Sequence, residues 1–412
     1  MRLIARAVRA AHLGTAGVLL AAALLQAASF LLVARGLGAA DFGRFMVLSA
    51  VTQFAIEAVA LGAGEALIRR TARDASQFAS ALGHALIMTS LTAVAFAALA
   101  LAAIGWVADD VATTAIVLFV FGELVGVRLA ALSEHAFIAR SRVADANWIR
   151  MFGAVARLAT VLIAFQLFDL RTVSEWALCQ GLATLAVGGV AMITTCRVLG
   201  RPALAWHRDD LLFGTQVSLT QLSAMFQLTA DRYVMGLLAA PAVVGAYAVA
   251  ARSAQFAFLP VQAILRNLYA RFFSVGGAGI ASVVQFARGR LPAVLGVGAV
   301  VGAGLYFAAD LLPVILGPAF AESAALARSL CMLPLLRGLQ SLNGDALSGA
   351  GYQGPRTWIG VTASLLFLPL LAVLVAAHGV WGAVAALYAH QVGVLLSFVV
   401  ATRMLARRER AA

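Results

Sequence analysis

The sequence contains no lysine, and all 30 of its basic residues are arginines. Charge is scarce altogether, at 12% of residues, whereas 63% are hydrophobic and the mean hydropathy is +0.95. The surface of a soluble chain of 412 residues would need more charge than this. The composition therefore excludes an ordinary soluble protein and predicts an integral membrane protein.

The sequence also lacks the motifs and residue spacings that metal, nucleotide and redox chemistry require. Cys179, Cys196 and Cys331 fall inside apolar runs without disulfide or metal-ligand spacing, and the six histidines show no metal-ligand spacing. The sequence has no GxxxxGK[ST] loop and no Ser/His/Asp arrangement for catalysis. We expect no metal, no cofactor and no enzymatic activity. We attribute the net charge of +12 to basic loops at a membrane surface and expect no nucleic-acid partner.

The sequence contains twelve apolar stretches of about 20 residues. A helix of this length crosses a bilayer. The approximate spans are 13–34, 45–67, 79–105, 111–133, 151–168, 176–196, 211–238, 242–266, 291–309, 321–349, 357–377 and 379–402. The basic N-terminal flank is like that of a signal peptide, but its apolar run is long for one, so we expect a retained first helix. The sequence thus predicts an all-α integral membrane protein with about twelve transmembrane helices.

Arginine is distributed unevenly over the connections between these spans. If the N-terminus is cytoplasmic, twenty arginines fall on the cytoplasmic side, and the opposite loops hold only Arg35, Arg44 and Arg171. Cytoplasmic loops of membrane proteins are enriched in basic residues. We therefore expect both termini in the cytoplasm, which an even number of spans satisfies.

The two halves of the chain resemble each other. "GAADFGRF" (38–45) and "APAVVGAY" (240–247) superpose at an offset of 202, and the same offset places Arg69 on Arg271. An offset near half the length indicates a same-orientation duplication, which is frequent among transporters. We predict two six-helix bundles, 1–202 and 203–412.

Four stretches resemble Wzx-type polysaccharide flippases, members of the multidrug/oligosaccharidyl-lipid/polysaccharide exporter (MOP) superfamily. They are "VARGLGAADFGRFMVLSAVTQFAIEAVALGAGEALIRR" (33–70), the Asp-Arg pair and glycine-rich turn of 231–256, "PVILGPAFAESAALARSL" (313–330) and "LNGDALSGAGYQGPR" (342–356). The sequence departs from the family where Ala60 and Leu61 precede Gly62, since relatives often carry a polar or acidic residue there. No ion-coupling role is therefore carried over to that position.

The resemblance implies movement of an isoprenoid-diphosphate-linked oligosaccharide from the cytoplasmic to the periplasmic leaflet of a bacterial inner membrane, for O-antigen or exopolysaccharide synthesis. It also implies two bundles facing a central cavity, opened alternately to each side. Expected partners are the lipid-linked oligosaccharide, membrane lipids and, in the same pathway, a polysaccharide polymerase and other assembly proteins.

Polar residues in the apolar spans give candidate site residues. Gln216, Thr220, Ser223, Gln227 and Asp231 recur at steps of four, three, four and four, which is a single stripe on a helix at about 100° per residue. We interpret this stripe as the wall of a water-lined cavity, because it ends in a carboxylate. The alternative is a helix–helix contact held by amide and hydroxyl groups.

Ionisable residues at membrane depth are costly and normally face protein or water. Arginine suits a diphosphate, because its planar fork matches phosphate oxygens and remains protonated when buried. The candidate cavity residues are the stripe together with Arg128, Arg157, Arg232, Arg252, Arg266, Arg337, Gln255 and Gln262. The candidate ion-coupling residues are Glu57, Glu65, Glu123 and Asp231.

Pro260 and Pro334 fall inside the eighth and tenth spans, where proline is expected to kink a helix. Two other functions stay open. A multidrug or toxin exporter of the same superfamily would have a chiefly acidic cavity for organic cations, and here arginines outnumber acids in the spans. A membrane-embedded glycosyltransferase or polymerase would have long hydrophilic loops, and no connection here exceeds about twenty residues by these spans.

Overall fold

The computed structural model describes residues 2–106 and 111–411, with side chains described except for 2–16, 220, 223, 224, 270, 410 and 411. This part of the chain is helical without strands, which confirms the all-α prediction. The helices are α1 (Arg2–Ala58), α2 (Ala63–Arg73), α3 (Phe78–Ile104), α4 (Thr113–Phe121), α5 (Arg128–Ala139), α6 (Val143–Leu162), α7 (Val173–Leu199), α8 (Arg208–Leu238), α9 (Pro241–Gly276), α10 (Ile280–Ala308), α11 (Leu311–Leu316), α12 (Ala321–Ser329), α13 (Leu333–Gly349) and α14 (Gln353–Ala411). Short π-helical turns, Gly122–Val127 and Ile163–Leu167, continue α4 into α5 and lengthen α6.

Eight helices among the described residues are long and apolar enough to cross a membrane, or nine if the bent pair α12 and α13 forms one crossing. Two of the eight candidate segments, Gly17–Arg73 and Gln353–Glu409, are each 57 residues long. At 1.5 Å per residue each would measure about 85 Å, against a hydrocarbon core of about 30 Å, so neither is a single crossing. Gly38 (φ 71°) and Gly379 (φ 57°) interrupt them with non-helical backbone, between or at the limits of predicted spans. The total of twelve stays a prediction.

Several predicted boundaries were wrong at their polar ends. The spans predicted at 151–168 and 291–309 begin at Val143 and Ile280 in the structure, and α9 continues to Gly276. An apolar run stops where charged residues begin, but helical hydrogen bonding does not require apolar side chains. Helix length here therefore exceeds the apolar length.

The predicted span 321–349 is not one continuous helix, because α12 and α13 are separate helices bent by 43°, and whether they form a single crossing stays a prediction. Pro334 lies in the first turn of α13 rather than in a helix interior. The first N–H groups of a helix have no intrahelical acceptor, so proline removes no bond there and starts a helix instead of kinking one. Pro260 does lie inside α9.

The backbone also breaks after α1, at Val59–Gly62. Ala60 and Leu61 both have positive φ, 69° and 44°, a region that costs L-residues energy. The Ala60 N–H donates to Thr92 Oγ1 at 2.7 Å, which helps to hold the break. This is the place where the sequence departs from the Wzx-type pattern.

By contacts the chain forms two compact units. Unit 1 comprises residues 1–37 and 44–229, and unit 2 comprises 38–43 and 230–412. Most of α8, residues 208–229, belongs to unit 1, where Asp210 pairs with Arg69 at 3.0 Å and with Arg70 at 2.5 Å. The division into two bundles at 202/203 is a statement about sequence repeats and stays a prediction.

Outside the membrane-spanning helices, Asp74 caps the turn between α2 and α3. Its carboxylate accepts hydrogen bonds from the Ser76 hydroxyl and the Ser76 backbone N–H, and from the Gln77 amide. These bonds, the Ser76 hydroxyl first, hold the pKa of Asp74 below its ordinary value.

Candidate functional site

In unit 1 the structure brings together two predicted site residues, Glu57 and Arg128. Arg128 Nη2 lies 3.1 Å from Glu57 Oε2, and Arg128 Nε donates to the Ile56 carbonyl at 2.5 Å. The Ser218 hydroxyl donates to the Glu57 carbonyl at 2.8 Å. These carbonyls are at the end of α1, where the break removes their helical donors. Arg128 therefore fills a structural role at this helix end.

Glu65 and Glu123 are held by neutral donors in unit 1. Glu65 accepts from Gln221 Nε2 at 3.1 Å. Glu123 is only 6% exposed, and its Oε1 accepts from Gln180 Nε2 at 2.8 Å and from Thr184 Oγ1 at 2.9 Å. Of the three predicted coupling carboxylates in unit 1, Glu123 is the buried one, and its donors come from a neighbouring helix.

Glycines set the approach of α7 to this carboxylate. A Cβ on Gly122 would lie 2.7 Å from the Gly181 Cα, and one on Gly181 would lie 2.8 Å from the Phe119 Cα. Real Cβ atoms need more room, so only glycine permits this separation. The close approach lets the short Thr184 side chain reach Glu123.

A cavity of about 300 Å³ lies in unit 1 beside these groups. Its walls come from α1, α5, α6, α7 and the turn before α5, and its lining includes Arg157, Gln180 and Thr184. Arg150 also lines it and pairs with Glu134 through two guanidinium nitrogens, Nε at 3.1 Å and Nη2. The predicted cavity residue Arg157 therefore does line a cavity, together with residues that sequence reasoning did not select.

In unit 2 the Asp-Arg pair of 231–232 is buried, with Asp231 4% and Arg232 3% exposed. The Tyr247 hydroxyl donates to Asp231 Oδ2 at 2.8 Å, and the Arg232 backbone N–H donates to Oδ1 at 2.8 Å. Arg232 Nε lies 3.9 Å from Oδ1, and Arg337 interacts electrostatically with Asp231 and Tyr247. One carboxylate is thus surrounded by two guanidinium groups and a phenol.

Arg252 is half-buried on α9 of unit 2. Its Nη1 donates to Gln255 Oε1 at 3.1 Å, and its guanidinium lies 5.1 Å from the centre of the Phe256 ring. Gln262 is half-buried and Arg266 is exposed. Exposure therefore increases along the predicted arc of polar residues, from the half-buried Arg252 to Arg266 at the surface.

The predicted stripe of α8 is only partly described. Gln216 is exposed, Gln227 is half-buried and Asp231 is buried. The side chains of Thr220 and Ser223 lie outside the described residues. Whether the stripe lines water stays a prediction.

Sequence reasoning missed four residues that line the cavity of unit 1 or donate to the buried carboxylates: Trp176, Gln180, Thr184 and Tyr247. The first three follow one another at steps of four on α7, a polar face that periodicity alone would have revealed. Tyr247 belongs to the repeat motif, but nothing in the sequence places its hydroxyl on Asp231. In the described part of the chain, no three His, Cys, Asp or Glu side chains are grouped to hold a metal ion.

Residues 13–267 match the model of the family described as "Polysaccharide biosynthesis protein", which is more than half of the chain. Among solved structures, the chain is similar to an inward-facing multidrug resistance MATE family transporter of the MOP superfamily, with TM-score 0.75, 14% identity and 94% of each chain covered. It is also similar to the lipid II flippase MurJ in an inward closed conformation, with TM-score 0.68, 10% identity, and 95% of this chain and 87% of that one covered. A MOP superfamily transporter from Pyrococcus furiosus matches with TM-score 0.59, 16% identity, and 96% and 93% covered. No curated protein sequence matches the chain.

The fold is therefore that of the MOP superfamily, and the molecule is a multi-pass membrane protein. The chain belongs to the polysaccharide biosynthesis protein family, and the resemblance to Wzx-type flippases of that superfamily is confirmed. Membership of this family places it among the membrane transporters of the MOP superfamily.

Proposed function

We propose that this transporter, acting without enzymatic chemistry, flips a polyprenyl-diphosphate-linked oligosaccharide from the cytoplasmic to the periplasmic leaflet of a bacterial inner membrane. The product would enter O-antigen or exopolysaccharide synthesis, with a polymerase as a downstream partner. The observation that carries the proposal is that two guanidinium groups, those of Arg232 and Arg337, lie beside the buried carboxylate of Asp231 in unit 2, with Arg252 half-buried on α9. Family membership supports the same cargo class.

The charge balance favours an anionic cargo. A diphosphate that leaves water must exchange its hydration for fixed donors and compensating charge. Asp231 accepts hydrogen bonds from the Tyr247 hydroxyl and the Arg232 backbone, and the guanidinium groups of Arg232 and Arg337 lie beside the same carboxylate. The Arg252 guanidinium donates to the Gln255 amide oxygen and lies over the Phe256 ring, so residues of its own helix set its orientation. Arg252 is therefore the candidate contact to the diphosphate.

The alternative within the superfamily is a multidrug or toxin exporter, since MATE transporters share the fold. Likeness at 14% identity shows the fold alone. An organic cation requires carboxylates that are available to it, and in unit 1 Glu57 is paired with Arg128, while Glu65 and Glu123 already accept hydrogen bonds from amide and hydroxyl groups. The charge distribution therefore favours the anionic cargo.

A glycosyltransferase or polymerase finds less support still. Among the described residues the longest connection between helices is 200–207, and the Ala203 N–H of this segment donates to the Ala79 carbonyl at 2.9 Å. Such short connections leave no room for a hydrophilic catalytic loop.

Complementation tests the proposal. The chain is expressed in a strain that lacks its own oligosaccharide flippase, and surface polysaccharide is measured against accumulation of lipid-linked oligosaccharide inside the cell. Restored surface polysaccharide supports flipping. Unchanged accumulation in strains of several glycan types, with the protein present in the membrane, would contradict it.

Arg252 gives a residue-level prediction. Arg252→Lys keeps the charge but loses the planar fork, so export falls only in part. Arg252→Ala removes a charge-assisted contact worth about 1.5–3 kcal/mol, which corresponds to roughly ten- to a hundredfold weaker engagement of the cargo. Export and membrane abundance are measured in the same cells. Normal abundance with lost export indicates cargo contact, whereas reduced abundance indicates a structural role for Arg252.

Topology gives a second prediction. Arginines are concentrated in the connections on the side of the N-terminus, and basic loops are cytoplasmic in membrane proteins. Reporter fusions after Arg73, Arg201 and Arg408 should therefore all behave as cytoplasmic. Fusions are compared by paired reporters that are active on opposite sides of the membrane. A periplasmic signal at any of the three positions would overturn the proposed orientation.

A further inference from the structure

Two of the helices that line the cavity of unit 1, α6 and α7, carry polar residues at regular spacing. On α7 the residues are Trp176, Gln180 and Thr184, one turn apart, and on α6 they include Arg150 and Arg157, two turns apart. A volume of about 300 Å³ is at the lower end of the range of small-ligand sites, roughly 300–1,000 Å³. The cavity is therefore sized for a single small polar group rather than for a whole oligosaccharide.

Two buried polar atoms on the α7 wall have no hydrogen-bond partner among the described residues. They are the donor Trp176 Nε1, on a side chain with 0% exposure, and the acceptor Gln180 Oε1, on a side chain with 3% exposure. Buried donors and acceptors are nearly always satisfied, and each such exception requires an explanation. A donor and an acceptor one turn apart on a cavity wall are complementary to a hydroxylated ligand, because a hydroxyl group both accepts and donates.

Arg157, on the α6 wall of the cavity, lies at membrane depth. It lies about 21 Å and about 15 Å from the two ends of the helix Val143–Leu167, at 1.5 Å per residue. In the described part of the chain Arg157 forms no hydrogen bond or ion pair with another residue. A guanidinium at this depth is costly unless it faces water or an anion. An anion in the cavity would meet this requirement.

The charge of the lining restricts the anion. Arg150 is neutralised by Glu134, so one positive charge, that of Arg157, remains among the lining residues. Glu123 lies directly behind Gln180 and Thr184 and would repel a doubly charged group. A monoanion that also carries hydroxyl groups fits better than the dianion of a phosphate monoester, which has no proton to donate to Gln180 Oε1.

We infer that the cavity of unit 1 binds an acidic sugar residue, with its carboxylate on Arg157 and its hydroxyls on Trp176 Nε1 and Gln180 Oε1. The inference rests on the proposed function for the source of the sugar, which is the glycan of the lipid-linked cargo. It adds a substrate class, since the transporter would prefer oligosaccharides that contain a uronic-type sugar. The diphosphate is assigned separately to unit 2.

Binding to the purified full-length protein in nanodiscs tests the inference apart from transport. Calorimetry with D-glucuronate, D-glucose and inorganic phosphate should show tightest binding for glucuronate. Arg157→Gln should weaken glucuronate binding roughly ten- to a hundredfold, because it removes the charge-assisted contact. Trp176→Phe removes one neutral donor but keeps an aromatic ring, so it should weaken binding by roughly tenfold or less.

Matched controls on the same helices are Arg197→Gln and Trp148→Phe, neither of which lines the cavity. Both should bind glucuronate as the unmodified chain does, and thermal unfolding should show that all four variants are folded. If glucose or phosphate binds as tightly as glucuronate, or if Arg157→Gln leaves glucuronate binding unchanged, the inference is wrong.

A cellular arm separates this inference from the proposed function. In strains that make an acidic or a neutral glycan, Arg157→Gln should reduce export of the acidic glycan at least tenfold and leave neutral export unchanged. Equal losses in both strains would contradict selectivity for acidic sugars. Glucuronate binding without complementation in any strain would leave the site standing and overturn the flippase proposal.

Discussion

Gly43→Ala and Gly245→Ala are each expected to reduce the amount of folded protein in the membrane severely. A Cβ on Gly43 would lie 2.7 Å from the Pro241 carbonyl carbon, and one on Gly245 would lie 3.1 Å from the Ala39 carbonyl carbon. The neighbouring atoms are backbone, so they cannot move aside as a flexible side chain does. Overpacking costs about 1–3 kcal/mol where side chains adjust, and we expect these variants at or above the upper end of that range.

The two contacts are reciprocal under the offset of the repeat. Gly43 meets residue 241 and Gly245 meets residue 39; the two glycines are 202 positions apart, and so are the two residues that they meet. Elements related by a two-fold axis contact each other in this manner, residue i to j and j to i. The contact therefore supports the alignment of "GAADFGRF" with "APAVVGAY", a pairing that short glycine-rich strings alone could not establish.

The measurements are membrane abundance and the thermal midpoint of unfolding in detergent. Gly296→Ala is the matched control, because it also lies in a helix of unit 2 but has nothing within 4 Å of its Cβ position. Replacing such a glycine by alanine should be neutral or stabilising by up to about 1 kcal/mol. If Gly43→Ala behaves like this control, the close contact is not maintained in the membrane.

A double variant tests the reciprocity itself. Gly43→Ala and Gly245→Ala strain the same contact, so once the first has separated the helices the second should cost less, and the two effects should not add. Gly43→Ala combined with Gly296→Ala should be additive. Additivity in both pairs would contradict a shared contact.

The sequence was sufficient to predict what depends on composition and local pattern. The apolar runs placed the membrane helices, and the breaks at Gly38 and Gly379 lie between or at the limits of predicted spans. It could not predict the break at Ala60 and Leu61, since neither residue favours positive φ and tertiary contacts such as that with Thr92 must hold it. The ion pair between Arg128 and Glu57 lies beside that break, so it could not be predicted from the sequence either.

In the candidate site, too, some features could be predicted from the sequence and others depend on tertiary packing. The presence of arginine and carboxylate at membrane depth was readable from the sequence, because such residues are rare there. Their partners were not, since Tyr247 is 16 residues from Asp231 and Gln180 is 57 residues from Glu123. Helix packing alone decides which charges are paired, and pairing decides which of them remain for a ligand.

Asp231→Ala is expected to be the most damaging substitution in the buried network of unit 2. The carboxylate is 4% exposed, receives the Tyr247 hydroxyl at 2.8 Å and neighbours Arg232 and Arg337. Its removal leaves buried guanidinium groups without their acid, and breaking a buried ion pair from one side typically costs about 3–5 kcal/mol. Since whole proteins are stable by only about 5–15 kcal/mol, membrane abundance and the thermal midpoint should both fall steeply.

Two further substitutions separate this structural role from ion coupling, for which Asp231 is also a candidate. Tyr247→Phe removes one hydrogen bond to a charged group, worth about 1.5–3 kcal/mol, and should be intermediate. Asp310→Asn is the control, because Asp310 also pairs with an arginine, Arg328, but at the surface, where such pairs contribute about 0–1 kcal/mol. The expected order of destabilisation is Asp231→Ala, then Tyr247→Phe, then Asp310→Asn. If Asp231→Ala instead keeps normal abundance and thermal midpoint while export is lost, the carboxylate is a coupling group and the arginines around it do not depend on its charge.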